Sequence, residues 1–240
     1  MESVLRPIVG LDDAFGQRTR QLRRLQSKLM DIFYQSEYEE VIPPLLERPE
    51  SLSTGAGKFL AGQTIMFSDP AGEGLLAIRP DMTPQMARIA ATRLRDLAVP
   101  RLCYSGQVMV ARPDSLSGSR QQWQTGIELL GIAGEEADME VMHLAALCLH
   151  VVNFNNPVIQ VGHTGLLKAL VADSDISLNS WASVLRLRSP EDMQQKLAHT
   201  SLPAASKQAL MDMASGLADE DWIRQIRADL PVGFQKASAQ

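Results

Sequence analysis

At 240 residues the chain suffices for one large domain, or for one domain with a sizeable appendage. Hydrophobic residues make up 45% of it and the formal net charge is −5, which fits a globular protein and excludes a globally basic nucleic-acid binder. No basic-then-apolar leader opens the sequence and no window approaches 18 uninterrupted apolar residues, so a cytoplasmic protein with no membrane span is expected.

Residues 14–35 repeat apolar side chains at Leu22, Leu25, Leu29, Ile32 and Phe33, a helical stripe with Asp12 or Asp13 as its cap. The opposite face carries Arg18, Arg20, Arg23, Arg24 and Lys28 and reads as a solvated face. "YEEVIPPLLE" (38–47) is a strand interrupted by Pro43 and Pro44. Proline cannot donate to a ladder, which puts this strand at a sheet edge or a chain interface. Residues 63–69 and 74–80 flank a Pro- and Gly-containing turn as a hairpin. Residues 81–97 read as a second amphipathic helix, with Thr83 at its N-cap and Pro84 at the first helical position. Two long strands follow at 101–111 and 123–132, then a helix over 136–152 and a strand over 158–163. From about Gly165 the pattern changes to short helices, opened by Ser189-Pro190-Glu191-Asp192, Ser201-Leu202-Pro203 and Asp219-Glu220-Asp221. The order predicts an α+β fold with a core over 1–164 and a C-terminal helical piece over 165–240.

Most motif-like stretches carry no chemistry. "STGAGKF" (53–59) lacks the spacing of a phosphate loop and reads as a surface loop. Glu140 and His143 make one E-x-x-H, whereas a carboxylate di-metal bundle needs two. Cys103 and Cys148 stand alone in apolar runs, as buried thiols do. No nucleophile arrangement, metal set or cofactor motif emerges. Two pairs stand out. Asp81 and Thr83, two apart at a helix start, offer an ammonium group a carboxylate and a hydroxyl. Gln124 and Glu128 share one face of a strand, with Gly126 between them leaving space for a small flat ligand.

"YEEVIPPLLERPESL", "LLAIRPDMTPQMARIAA", "RLCYSGQVMVARPDSLSGSRQQWQTGIELLG", "EADMEVMHLAALCL" and "VIQVGHTGLLKAL", in that order, make residues 5–170 resemble the catalytic core of histidyl-tRNA synthetases. More closely, they resemble the non-synthetase paralogue of those enzymes, the regulatory subunit of ATP phosphoribosyltransferase. The resemblance implies a class II synthetase-like antiparallel sheet flanked by helices, dimerising around Pro43 and Pro44. It implies that histidine is held at its α-amino group by Asp81, Thr83 and Gln124, and at its imidazole by Glu128. Asp81 stands where the synthetases have glutamate, one methylene longer.

In an active synthetase the second motif holds ATP with an arginine and, two residues on, a glutamate. Those positions here are Val110 and Arg112, and Arg120 alone matches a loop arginine. A phosphate clamp needs cations where charge develops, so adenylation is not expected. The resemblance therefore implies a non-catalytic subunit that binds and activates the short-form catalytic subunit of ATP phosphoribosyltransferase, with L-histidine as a candidate ligand and no nucleic-acid partner. An inactive interaction or dimerisation module, and a histidine-adenylating synthetase paralogue, are the alternatives. By the same alignment Gln240 falls inside or just after a helical insertion of the family. The histidine pocket is then expected to lack one wall, and the sheet to keep an unpaired edge that favours association.

Overall fold

The first long helix, α1 (Gly16–Gln35), buries Met30, Ile32 and Phe33, while Leu22 and Leu29 are half-buried and Leu25 is exposed. Its N-cap is Phe15, without a side-chain capping bond; Asp12 and Asp13 lie upstream of the capping position. The structure is a computed structural model describing residues 8–53, 60, 62–72, 74–112, 118–154, 156–159, 164–172, 174–178, 180–181, 185, 189–216, 221–222, 224 and 230. The chain divides into two compact units, Met1–Pro157 and Val158–Gln240.

In the first unit the predicted 38–47 strand splits. β1 (Glu39–Glu40) pairs parallel with β5 (Arg101–Met109), and β2 (Leu46–Glu47) pairs antiparallel with β4 (Leu75–Ile78) in a different sheet. Pro43 and Pro44 lack the N–H groups that would continue one ladder, so the chain leaves the first sheet and enters the second. Each piece lies at a sheet edge, as proline requires. The second sheet has the order β2–β4–β3, with β3 (Ile65–Ser68) and β4 forming the predicted hairpin. A four-residue helix, α2 (Pro49–Leu52), follows β2.

The first sheet has the order β1–β5–β6, and β6 (Gln121–Leu129) runs antiparallel to β5 from Arg101↔Leu129 to Met109↔Gln121. One face packs on α1 and α4 (Glu135–Val151) through Met30, Phe33, Tyr38, Cys103 and Leu144. The other carries Leu102, Tyr104 and Val108 against Met82 and Met86 of α3 (Thr83–Thr92) and its approach. This is the α+β arrangement of a mostly antiparallel sheet between helices. Strand alternation explains why one nine-residue strand feeds two cores.

Glu140 of α4 is bound to Arg101 through both of its oxygens and accepts from the Tyr38 hydroxyl at 2.8 Å. The Arg101 hydrogen bonds, helped by Tyr38, hold its carboxyl below the ordinary range. A depressed carboxylate stabilises the fold fully above its unfolded value and loses that contribution as pH falls through the folded one. Glu140→Gln is therefore expected to flatten the acid arm of a thermal-melt pH profile.

The second unit contains α5 (Thr164–Leu170), α6 (Pro190–Ala198) and α7 (Ala204–Ala214) around Leu170, Trp181, Met193, Leu197 and Leu210. Ser189 caps α6 as the sequence predicts, its Oγ accepting the Asp192 N–H at 3.2 Å. Ser189→Ala is expected to cost about 1 kcal/mol in urea denaturation. α7 begins after Pro203 with no side-chain cap, so Ser201 does not open it. Of the predicted 158–163 strand, Val158 and Ile159 are exposed and outside any strand, and 160–163 lie outside the described residues. Most of the 53–59 loop, and Asp219 and Glu220, also lie outside them. Among the described residues no helix is long and apolar enough to cross a membrane.

Candidate functional site

The structure brings Asp81, Thr83, Gln124 and Glu128 together on the α3 side of the first sheet. Asp81 Oδ1 accepts the Thr83 N–H and the Gln124 side-chain amide, both at 2.9 Å. Gln124 Oε1 accepts the Met82 N–H at 2.8 Å. Thr83 is thus the first residue of α3 rather than its cap, because Asp81 and Gln124 already satisfy the free N–H groups at the helix start. The predicted cap role passes to an acid two residues upstream, and the Thr83 hydroxyl is released toward the sheet.

There it lies 3.4 Å from the Tyr104 hydroxyl, which donates to Glu128 Oε1 at 3.3 Å. Burial pushes the Glu128 carboxyl above its ordinary range, reinforced by the negative charge of Asp81 and opposed by hydrogen bonds from Thr83 and Tyr104. Burial likewise raises the Tyr104 hydroxyl.

Tyr104 is the residue that sequence reasoning missed. It faces Gly126 across the ladder, and a Cβ at Gly126 would stand 2.8 Å from the Tyr104 Oη and 2.9 Å from its Cζ. The space expected above Gly126 therefore belongs to this ring and is not open to a flat ligand. The available signal was an aromatic on one strand opposite a glycine on the next, which requires knowing the register.

Arg79 underlies the site. It is 7% exposed and donates from Nε to the Gln107 carbonyl at 2.9 Å and from Nη1 to the Pro43 carbonyl at 2.8 Å. Gln85, also buried, donates to the Pro44 carbonyl at 2.8 Å and to Glu47, which Arg88 engages at 2.7 Å. Pro43 is buried and Pro44 exposed, and their flanks Ile42 and Leu45 are 85% and 51% exposed.

The loop arginines do not form a clamp. Arg120 is half-buried; its N–H donates to the Gly10 carbonyl at 2.7 Å and its Nε to the Val110 carbonyl at 3.3 Å. Arg112 is exposed, and residues 113–117 lie outside the described ones. On the opposite face of the sheet a cavity of about 420 Å³ is lined by Arg23, Gln26, Tyr34, Ser105 and Trp123 among others. Its polar groups are engaged with one another: Arg23 lies over the Trp123 ring, and Gln26 donates to Ser105 at 2.9 Å.

A family model described as histidyl-tRNA synthetase matches residues 10–239. ATP phosphoribosyltransferase regulatory subunits of Alkalilimnicola ehrlichii and Burkholderia cenocepacia are 33% and 36% identical to the chain, over 95% and 92% of it and 58% of each relative. The chain thus spans less than two thirds of the length of these relatives. Among solved structures, an ATP phosphoribosyltransferase regulatory subunit/histidyl-tRNA synthetase from Bacillus halodurans aligns with a TM-score of 0.84 at 22% identity, over 98% of this chain and 62% of that one. Histidyl-tRNA synthetase from Nostoc sp. PCC 7120 aligns with a TM-score of 0.67 at 14% identity, over 98% and 55%. The fold is that of class II synthetases, and the chain belongs to the histidyl-tRNA synthetase family, to which it is similar through the ATP phosphoribosyltransferase regulatory subunits of Alkalilimnicola ehrlichii and Burkholderia cenocepacia among others.

Proposed function

We propose that the chain acts as a non-catalytic regulatory subunit in histidine biosynthesis, binding the short-form catalytic subunit of ATP phosphoribosyltransferase in the cytoplasm and raising its activity. What supports this reading is the convergence of Asp81, Thr83, Gln124 and Glu128 together with Val110 at a position where an active synthetase carries an arginine. Arg120 is directed at a backbone carbonyl. Chemistry that stabilises developing phosphate charge has no cation to draw on from Val110.

In this reading the α-amino group of histidine displaces the Gln124 amide from Asp81, and the imidazole N–H meets Glu128 beyond the Tyr104 hydroxyl. Charge-assisted bonds to both carboxylates supply the affinity. The exposed Ile42 and Leu45, held by the Arg79 and Gln85 contacts to Pro43 and Pro44, form the self-association surface. Ile42→Asp is expected to shift the chain toward monomer in sedimentation analysis.

The test is phosphoribosyl transfer by a short-form catalytic subunit from the same source, with and without the chain, then with histidine added. Stimulation reversed by histidine is the expected result. Failure of a folded preparation to stimulate overturns the regulatory reading and favours the interaction module, for which the exposed Ile42, Leu45 and Leu46 speak. Histidine-dependent pyrophosphate exchange would instead identify a synthetase-like activity.

A further inference from the structure

The ladder of β5 and β6 is bonded out to Met109↔Gln121, and the next pair outward is Val110 with Arg120. The Val110 N–H donates to the Arg120 carbonyl at 2.8 Å. A hydrogen-bonded antiparallel pair exchanges both of its bonds, so the Arg120 N–H would return to the Val110 carbonyl. It donates instead to the Gly10 carbonyl at 2.7 Å. The Val110 carbonyl accepts the Arg120 side chain in its place, from Nε at 3.3 Å. The N-terminal segment has taken one ladder bond, and the arginine folds back to cover the acceptor left behind.

Gly10 fits this seat for two reasons. Its φ of +80° lies in the left-handed region that favours glycine. A Cβ there would also stand 2.8 Å from the Arg120 Cγ and 3.1 Å from the Gly118 carbonyl oxygen. Apolar burial adds little to the seat, because Ile8 and Val9 are 65% and 86% exposed; the Leu11 N–H closes a turn onto the Ile8 carbonyl at 2.9 Å. The strand end beneath is anchored more firmly. The Ala111 N–H is bonded to the Gln63 carbonyl at 2.7 Å and the Met109 N–H to the Arg79 carbonyl at 3.0 Å. A lightly held segment over a firm base opens at low free energy.

We propose that residues 8–11 form a strap that parks the Arg120 guanidinium, and that lifting the strap returns the Arg120 N–H to the Val110 carbonyl and releases the guanidinium. In both arrangements the Arg120 N–H and the Val110 carbonyl are bonded. Only the Gly10 carbonyl and the guanidinium change partner, and on release each meets water. The open form offers an anion the planar fork of donors that the seated form holds against its own strand.

The test is amide exchange followed by NMR on the full chain, together with phenylglyoxal labelling of arginines read by mass spectrometry. In Gly10→Ala the Leu11 N–H is expected to exchange at least about fivefold faster, and Arg120 to take up label at least about fivefold faster, than in the parent. The Arg120 N–H is expected to stay protected, now on Val110. Arg88, paired with Glu47, is the internal reference and should label at the parent rate. Arg120→Met approaches from the other side: the Val110 carbonyl loses its side-chain donor and reclaims the amide, so Leu11 again exchanges faster. Loss of protection at the position-120 amide in Gly10→Ala, with Met109 still protected, would show that the ladder bond does not re-form and overturn the exchange. Parent rates for Leu11 in both variants would show that Gly10 and Arg120 do not hold the strap. Should Gly10→Ala also lose protection at Met109, Arg120→Met alone decides between these outcomes.

Discussion

Gly126→Ala is expected to abolish detectable binding of any imidazole amine and to destabilise the chain by about 1–3 kcal/mol. The added methyl would stand within 2.8–2.9 Å of the Tyr104 Oη and Cζ, well inside van der Waals contact. Two strands bonded from Arg101↔Leu129 to Met109↔Gln121 cannot shift locally, so the ring must move. Tyr104 is 4% exposed and packs with Met82, Met86 and Leu102, so its displacement strains that core as well as the site. Its hydroxyl would leave Glu128 and Thr83, removing the donor that holds the carboxylate in place. Calorimetry and urea denaturation measure the two effects separately. Tyr104→Phe separates them further, since it removes the hydroxyl alone and is expected to weaken binding with little loss of stability. If Gly126→Ala bound amines like the parent, the Tyr104 ring would be shown not to shape the site.

Arg79→Met is expected to cost about 3 kcal/mol or more. The guanidinium reaches the Pro43 and Gln107 carbonyls with good geometry, and the Pro44 carbonyl and Gln85 Oε1 at 3.4 and 3.5 Å. Burial lowers its basicity without a carboxylate partner among its bonds. Methionine fills part of the volume but satisfies none of these acceptors, and Pro43 and Gln85 are themselves buried. Arg79→Lys should recover only part of the loss, because an ammonium cannot reproduce the planar fork that spans two chain segments. The same substitution should free the Ile42–Leu46 segment, read as faster amide exchange at Arg79 and Met109, whose N–H groups bond the Leu45 and Arg79 carbonyls. A stability change under about 1 kcal/mol would show that the carbonyls find other partners or water.

Much of the architecture was legible from short-range pattern. The hydrophobic stripe of α1, the turn between β3 and β4, the long apolar strands β5 and β6, and Ser189 at the start of α6 each depend on residues a few positions apart. The convergence of Asp81 and Thr83 with Gln124 and Glu128 was accessible through family resemblance, because it links segments some forty residues apart. Tyr104 was missed for a related reason: its role depends on a cross-strand register that no local window contains.

By itself, then, the sequence determined that residues 14–35 carry a helical stripe, that prolines 43 and 44 interrupt the 38–47 ladder, and that Val110 brings no cation to the second motif. Those outcomes follow from periodicity, missing N–H groups and side-chain chemistry, all of which are local. Only the tertiary structure decided that the 38–47 strand divides between two sheets, that Asp81 rather than Thr83 serves the start of α3, and that Tyr104 fills the space over Gly126. Each of those is a competition for one acceptor or one volume between residues distant in the chain, and it is resolved by which of them packing brings within about 3 Å.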